Sequence, residues 1–365
     1  VLHLQGAQHA SPHVSGSADN NYSHNASSYP PYRSTKLRSA SPLASVSCTI
    51  LGDSPGWKEI MMRVLVTGAR GKVGTAAVAA LMQAGHDVRA TDVVPPTFER
   101  PEEGEPDYFQ SQLTDAGDAF AVVRGAEAVV HAAAIPEPTR NPPHVVFHNN
   151  VMATFNVLEA AIRFGVPRFV NISSETVPGF FFPERDFLPD YVPVDEEHPI
   201  RPQDPYATAK YFGELLMDGA IRRSDIRCMS IRPSWVQHEG NYERNLGPQV
   251  RDASVLSPNF WSYIDVYDLA DAIVLAAESD LPGHEVFYIA SPDNVGGRPF
   301  EQIVKEYYGD QVEIKTPLPR KDASGISIAK AEKMLGYNPK RSWSDYLDEN
   351  GKLKSGAGEG LFSTG

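Results

Sequence analysis

Cysteine is nearly absent from this 365-residue chain, which has only Cys48 and Cys228. One lies in a polar leader and the other in an apolar stretch, which excludes a disulfide framework and a cysteine-based metal site. Long apolar runs are missing as well. No stretch reaches the ~18 residues that a membrane-spanning helix needs, and the opening residues lack the apolar core of a secretory signal. Positive charge is scarce, with 33 Lys and Arg against 46 Asp and Glu and a formal net charge of −13. A surface of that sign repels a phosphate backbone, so nucleic acid is excluded as a partner. What remains is a protein of the cytoplasm that acts on small molecules, with no metal and no membrane.

Residues 1–60 have little charge and no sustained period, being rich in Ser, Ala, Pro, His and Asn. Such a segment buries too little apolar surface to offset its ordering entropy, so disorder is expected. Its Ser-rich, acid-poor character has something of an organellar transit peptide. The opening on Val1 and the arrival of Met61-Met62 just before the first apolar run favour sequence upstream of the start. Residues 351–365, rich in Gly, Lys and Ser, are expected to form a flexible tail. No internal repeat is present.

Between these ends, apolar runs alternate with helical periodicities. Arg63–Thr67 is a short apolar run ending in glycines, the mark of a buried parallel strand. Val73, Ala76, Ala77, Ala80, Leu81 and Ala84 recur at helical spacing and Gly85 closes that helix. Further strands are expected at 87–92, near Tyr108, at 127–134, at 167–173 and at 227–232, with helices over 144–164 and 205–222. This alternation predicts an α/β fold, a doubly wound parallel sheet of the Rossmann type. Stretches 178–204, 236–262 and 283–345, rich in Pro, aromatics and charge, interrupt it. They are expected to build a small C-terminal substrate lobe over the carboxyl ends of the strands, where open α/β sheets bind ligands.

Three groups of residues carry the chemistry. Gly68, Gly71 and Gly74, with Arg70, Lys72 and Val73 among them, sit between a strand and a helix. The first glycine suits a tight turn, the second lets a pyrophosphate approach the backbone, and the third lets helix and strand pack closely. Asp92 ends the second strand, where a carboxylate accepts from the adenosine ribose and repels a 2′-phosphate, which points to NAD rather than NADP. Arg70 opposes that reading, since a guanidinium there could hold the phosphate. The third group is Tyr206 and Lys210 in Asp204-Pro205-Tyr206-Ala207-Thr208-Ala209-Lys210, one helical turn apart on a shared face. A phenol with a pKa of about 10 is a poor base. A nearby ammonium is expected to lower it, while a serine of the Ser173-Ser174 pair holds the substrate oxygen.

In this order and spacing, the motifs resemble the extended short-chain dehydrogenase/reductase family, also called the NAD-dependent epimerase/dehydratase family, over residues 62–345. The resemblance implies an NAD-dependent enzyme with Tyr206 as proton donor and acceptor, Lys210 on the nicotinamide ribose and Ser174 on the substrate oxygen. His131-Ala132-Ala133-Ala134 is similar to the family segment beside the nicotinamide ribose, and Asn149-Asn150-Val151 to its Asn-Val. Val266-Tyr267-Asp268-Leu269-Ala270-Asp271 and Leu335-Gly336-Tyr337-Asn338-Pro339 match two later signatures. Gln112-Leu113 stands where the family has Asp followed by Leu or Ile at the adenine. Relatives often pair through helices matching 144–164 and 205–222, so a homodimer is the expected assembly.

The reaction type is narrowed by departures. Dehydratases carry Thr-Asp-Glu where this chain has Ser174-Glu175-Thr176, and a threonine cannot abstract the proton for elimination. Nucleotide-sugar epimerases have polar anchors where Trp235 and Trp261 stand. Ser173-Ser174-Glu175 with Gly179–Pro183, and Asn241-Tyr242-Glu243-Arg244, are similar to uronate dehydrogenases, in which the arginine clamps a sugar carboxylate. The expected activity is hydride transfer at a hydroxyl-bearing carbon of a sugar or sugar acid. Nucleotide-sugar 4-epimerisation and a non-catalytic NAD(P)-sensing role are the alternatives.

Overall fold

The computed structural model describes residues 61–97, 104–252, 254–255 and 257–363. The expectations for residues 1–60 lie outside these. In chain order the strands are β1 (Arg63–Thr67), β2 (Asp87–Asp92), β3 (Asp107–Gln110), β4 (Ala128–His131), β5 (Arg168–Ile172), β6 (Tyr191–Val192), β7 (Arg227–Pro233), β8 (Val236–Gln237), β9 (Ile264–Asp265), β10 (His284–Ile289) and β11 (Glu313–Ile314). The helices are α1 (Lys72–Gln83), α2 (Ala116–Val123), α3 (Pro143–Arg163), α4 (Pro205–Ile221), α5 (Tyr242–Asn245), α6 (Gly247–Arg251), α7 (Val266–Glu278), α8 (Phe300–Tyr308), α9 (Ala329–Leu335) and α10 (Trp343–Tyr346).

Seven strands form one parallel sheet in the order β10-β7-β5-β4-β1-β2-β3. Alternation along β1 explains its two covered faces. Val64 and Val66 point to one side, into a core with Ala77 and Leu81 of α1 and Ile273 and Ala277 of α7. Leu65 points to the other, among Val123 of α2, Val157 of α3 and Met217 of α4. Burial on both faces is why these strands read as unbroken apolar runs. The chain leaves β1 toward β2 and β3 and then returns to β4 on the opposite side. That reversal opens a crevice beyond the carboxyl ends of β1 and β4.

The interrupting stretches meet one another. β6 pairs with β11, and Val194 bridges to Ile326. The Phe260 ring packs against Phe180 and Tyr308, with centroids 6.2 and 4.9 Å away. One boundary needs correction: 283–345 does not belong wholly to the inserted stretches, because β10 is the last strand of the main sheet. Its charged start, His284-Glu285, disguised the apolar half that follows. The expected flexible tail also differs. Residues 351–363 are seated on the body, with Leu361 N donating to Tyr267 Oη at 2.9 Å and Phe362 N to Glu239 Oε1 at 2.6 Å. Composition conceals this because backbone N–H groups make both contacts.

Candidate active site

The glycine loop follows β1 directly. Gly68 has a φ of +66°, and a Cβ there would stand 2.6 Å from Ala133 N. A Cβ on Gly74 would lie 2.0 Å from Gly68 O. Neither position admits another residue without moving backbone. Gly71 is different: its Cβ would meet only Gly68 O, at 3.3 Å. It caps α1 without a side-chain hydrogen bond, and no acidic residue occupies the first turn. No side chain caps the first N–H groups of α1, which suits a pyrophosphate there. Lys72 and Val73 open the helix. Desolvation lowers the Lys72 ammonium, and Arg244 and Arg140 nearby lower it further, against Glu137.

At the end of β2, Asp92 Oδ2 accepts from Arg70 N at 3.0 Å. The Arg70 guanidinium lies over the Tyr108 ring, 4.5 Å from its centroid. The two residues with opposite bearing on the ribose thus share one corner. Gln112 N donates to Asp118 Oδ2 at 2.8 Å, while Leu113 is buried and its carbonyl accepts from Asn156 Nδ2 at 3.0 Å. Asn150 braces the loop after β4: its Oδ1 accepts from Ile135 N at 2.7 Å and from Asn149 Nδ2 at 3.1 Å.

His131 ends β4 and is held between Thr67 of β1 and Thr154 of α3. Its ring is buried, with Nδ1 2.9 Å from Thr67 Oγ1 and Nε2 3.1 Å from Thr154 Oγ1. Burial first, and Lys210 second, push it down to about 3, so the ring is neutral. Thr67 Oγ1 in turn accepts from Ala133 N at 3.2 Å. The imidazole braces the turn carrying Ala132, Ala133 and Ala134.

Tyr206 and Lys210 are set by the start of α4. Asp204 caps it, its Oδ1 accepting from Tyr206 N and Ala207 N at 2.8 Å each, and Pro205 fills the first position. Ser174 stands close enough to the Tyr206 phenol to lower it. Ser174 Oγ accepts from Thr176 N at 3.2 Å and lies 3.0 Å from Thr176 Oγ1. Lys210 Nζ donates to Ile172 O at 2.6 Å and stands 5.7 Å from the Tyr206 ring centroid. Burial pushes Lys210 down to about 8, opposed by Glu214. The phenol is not lowered as expected. Burial pushes it up to about 12, Ser174 working against this and Asp204 and Glu175 with it. Desolvation is the largest influence on it.

Strand alternation separates the two serines. Ser173 Oγ donates to Glu214 Oε1 at 2.6 Å, inside a buried network, and is not on the substrate side with Ser174. Glu175 is buried, with Oε2 accepting from Ser234 Oγ at 2.6 Å and Oε1 from Asn259 Nδ2 at 3.5 Å. Burial pushes its carboxyl up to about 8. Asn259 precedes Phe260 and Trp261, whose φ values of 54° and 58° place two bulky residues in the left-handed region. Such strain gathers at functional sites. Trp261 is buried in the core, its Nε1 donating to Val255 O at 3.2 Å, and so forms no part of a sugar-binding wall.

Arg244 stands apart from this cluster. Its Nε donates to Asn245 Oδ1 at 3.3 Å, and it lines a cavity of about 510 Å³. Among the described residues no hydrogen bond or ion pair links Arg244 to Ser174, Tyr206 or Lys210. Sequence reading missed Glu214, Arg232, Ser234 and Asn259. Only Glu214 left a signal, one helical turn beyond Lys210.

The family model described as "NAD dependent epimerase/dehydratase family" matches residues 64–290. The chain is 26% identical over 314 residues to a UDP-glucose 4-epimerase of Corynebacterium glutamicum, covering 77% of this chain and 92% of that protein. It is 30% identical over 236 residues to an L-arabinose 1-dehydrogenase (NAD(P)(+)) of Haloferax volcanii, covering 61% and 85%. In fold it is similar to a mutated uronate dehydrogenase, with a TM-score of 0.55 at 22% identity, covering 79% of this chain and 84% of that one. The chain belongs to the NAD dependent epimerase/dehydratase family, a family of enzymes whose cofactor is NAD.

Proposed function

We propose that this enzyme performs reversible hydride transfer at a hydroxyl-bearing carbon of a sugar or sugar acid. The observation that carries the reading is the meeting of Ser174, Tyr206 and Lys210 at the carboxyl end of β5, the same end of the parallel sheet as the glycine loop after β1. NAD, when bound, supplies the hydride acceptor. Ser174 Oγ holds the substrate oxygen in line with the Tyr206 hydroxyl. In the reductive direction Tyr206 donates its proton to the substrate carbonyl. In the oxidative direction the Tyr206 phenolate, formed by loss of its proton to solvent and favoured by Ser174, accepts the hydroxyl proton, while Lys210 would hold the nicotinamide ribose. Gly68, Arg70, Gly71, Lys72, Val73 and Gly74 would cradle the pyrophosphate, Asp92 the ribose, and Gln112 and Leu113 the adenine side. Asn149 and Asn150 with Ala132–Ala134 would shape the floor under the nicotinamide. Glu175 and Arg244 belong to the substrate side, Arg244 as a carboxylate clamp.

A second reading, UDP-glucose-type 4-epimerisation, is supported by the C. glutamicum relative, matched over 92% of its length. A panel of free sugars, sugar acids and nucleotide sugars incubated with NAD separates the readings. Net NADH marks a dehydrogenase, and isomer interconversion without NADH an epimerase. NAD binding with neither product marks a sensing protein. A homodimer through α3 and α4 belongs to the proposal: they leave Phe155, Phe212 and Leu215 partly exposed. Sedimentation of the wild type and Phe212→Glu tests it. A cytoplasmic location is part of it too, the two cysteines suiting a reducing compartment; cell fractionation checks that.

A further inference from the structure

Residues 351–362 are stitched across the cavity that holds Arg244. At one end, backbone meets backbone: a Cβ on Gly351 would lie 2.3 Å from Gly247 O, and one on Gly247 2.4 Å from Gly351 O. Lys352 Nζ then pairs with Glu243 Oε1 at 2.7 Å, and Leu353 N donates to Glu243 Oε2 at 3.1 Å. At the other end the contact is with Glu239. Its Oε1 accepts from Phe362 N at 2.6 Å and from the Tyr267 hydroxyl at 3.0 Å. Gly360 crosses so closely that a Cβ would stand 2.1 Å from Glu239 Oε1 and 2.5 Å from Tyr267 Oη. The Phe362 ring packs 4.7 Å from His238 and against the apolar cluster of Ala76, Val266 and Ala270, which joins α1 to α7.

The cavity so enclosed has a particular chemistry. Arg244, Arg251 and Lys352 line it, and Glu239 stands on the same wall. Glu239 is only 3% exposed, and its second oxygen, Oε2, is buried without a partner. A buried carboxylate oxygen without a donor carries a desolvation cost that a ligand hydroxyl would offset. Arginine offers the two-point donor set that a carboxylate takes.

We propose that residues 351–362 are a wall of the substrate cavity, holding Glu239 to bind a hydroxyl of a hydroxylated carboxylate whose anionic end lies on Arg244 and Arg251. The inference rests on the sugar-acid reading above and adds the ligand's second anchor and the strap that fixes it. The probe is D-glucuronate, with D-glucose as the neutral control, titrated by calorimetry into the NAD-saturated full chain. The wild type binds glucuronate and not glucose. Glu239→Gln, nearly isosteric, weakens glucuronate by about tenfold or more, while NAD affinity and Tm hold. Gly360→Val, which displaces the strap, does the same. Loss of NAD affinity in step with glucuronate in both variants would mean general damage and overturn the wall. Wild-type affinity in both variants overturns the strap and leaves the function standing. A wild type that turns over neutral sugars but does not bind glucuronate overturns the ligand class. A wild type that acts on no sugar fails the functional reading itself.

Discussion

Arg232 grips Glu214 at two points, Nη2 to Oε2 at 2.7 Å and Nε to Oε1 at 2.8 Å, with both side chains buried. Glu214 lies one turn beyond Lys210 on α4 and accepts from Ser173, the neighbour of Ser174. One carboxylate thus ties three parts of the site together and favours the charged form of Lys210.

Removing that carboxylate lowers Lys210 below about 8, so its charge is lost at a lower pH. Glu214→Gln is therefore expected to move the alkaline limb of the kcat/KM profile toward neutrality. Leaving Arg232 buried alone costs roughly 3–5 kcal/mol, which a lower Tm would report. The paired change Glu214→Leu with Arg232→Met restores the fold, and the shifted alkaline limb persists.

On the roles proposed above, Tyr206→Phe lowers kcat by about two orders of magnitude or more, the scale of lost proton transfer. NAD affinity, measured by fluorescence titration, stays near wild type because one hydroxyl is removed. An unchanged kcat would take proton transfer away from this phenol.

On the ribose role proposed for Asp92, NAD is expected to outperform NADP in kcat/KM, because that carboxylate would repel a 2′-phosphate. Asp92→Asn keeps an acceptor for Arg70 N–H and removes the charge, leaving the Arg70 guanidinium over Tyr108 in place. The NADP/NAD ratio of kcat/KM should rise by about tenfold, one Coulombic contact's worth. A ratio that does not move assigns the preference to other residues.

Glu175 gives stability a pH dependence of defined sign. Its folded carboxyl is pushed up to about 8 from an ordinary value of 4.5. Between those values the folded chain holds a proton that the unfolded chain has released. Stability therefore falls as pH rises through this window, by up to about 1.4 kcal/mol per unit from this group, and levels off above it. Glu175→Gln is expected to flatten that slope. Denaturant melts at pH 5 and pH 8 should show the variant gaining on the wild type only at the higher pH.

The sheet was legible in the sequence because burial on both faces writes strands such as Val64–Val66 and Val129–Val130 as plain apolar runs. β10 was hidden because His284 and Glu285 give it a polar start. Among site residues, Gly68, Gly74 and the Tyr206–Lys210 pair were legible, since their demands are local to one turn of backbone or helix. The engagement of Ser173 by Glu214 was hidden because which way a strand end presents its side chains depends on its neighbours, and a single strand does not show that. Asn259 and Ser234 left no trace, as each meets Glu175 only across the assembled fold. The Tyr206 phenol went the other way from expectation because burial, which no spacing records, dominates its setting.

Gly68 pressed on Ala133, and Gly74 on Gly68, bring main chain against main chain at the start of α1. A contact without side chains offers selection nothing to vary. New specificities in such a scaffold have to be written in other segments, such as those that carry Glu175, Arg244 and Glu239. For anyone redesigning this enzyme, those segments are the editable text and the glycine turn is the page.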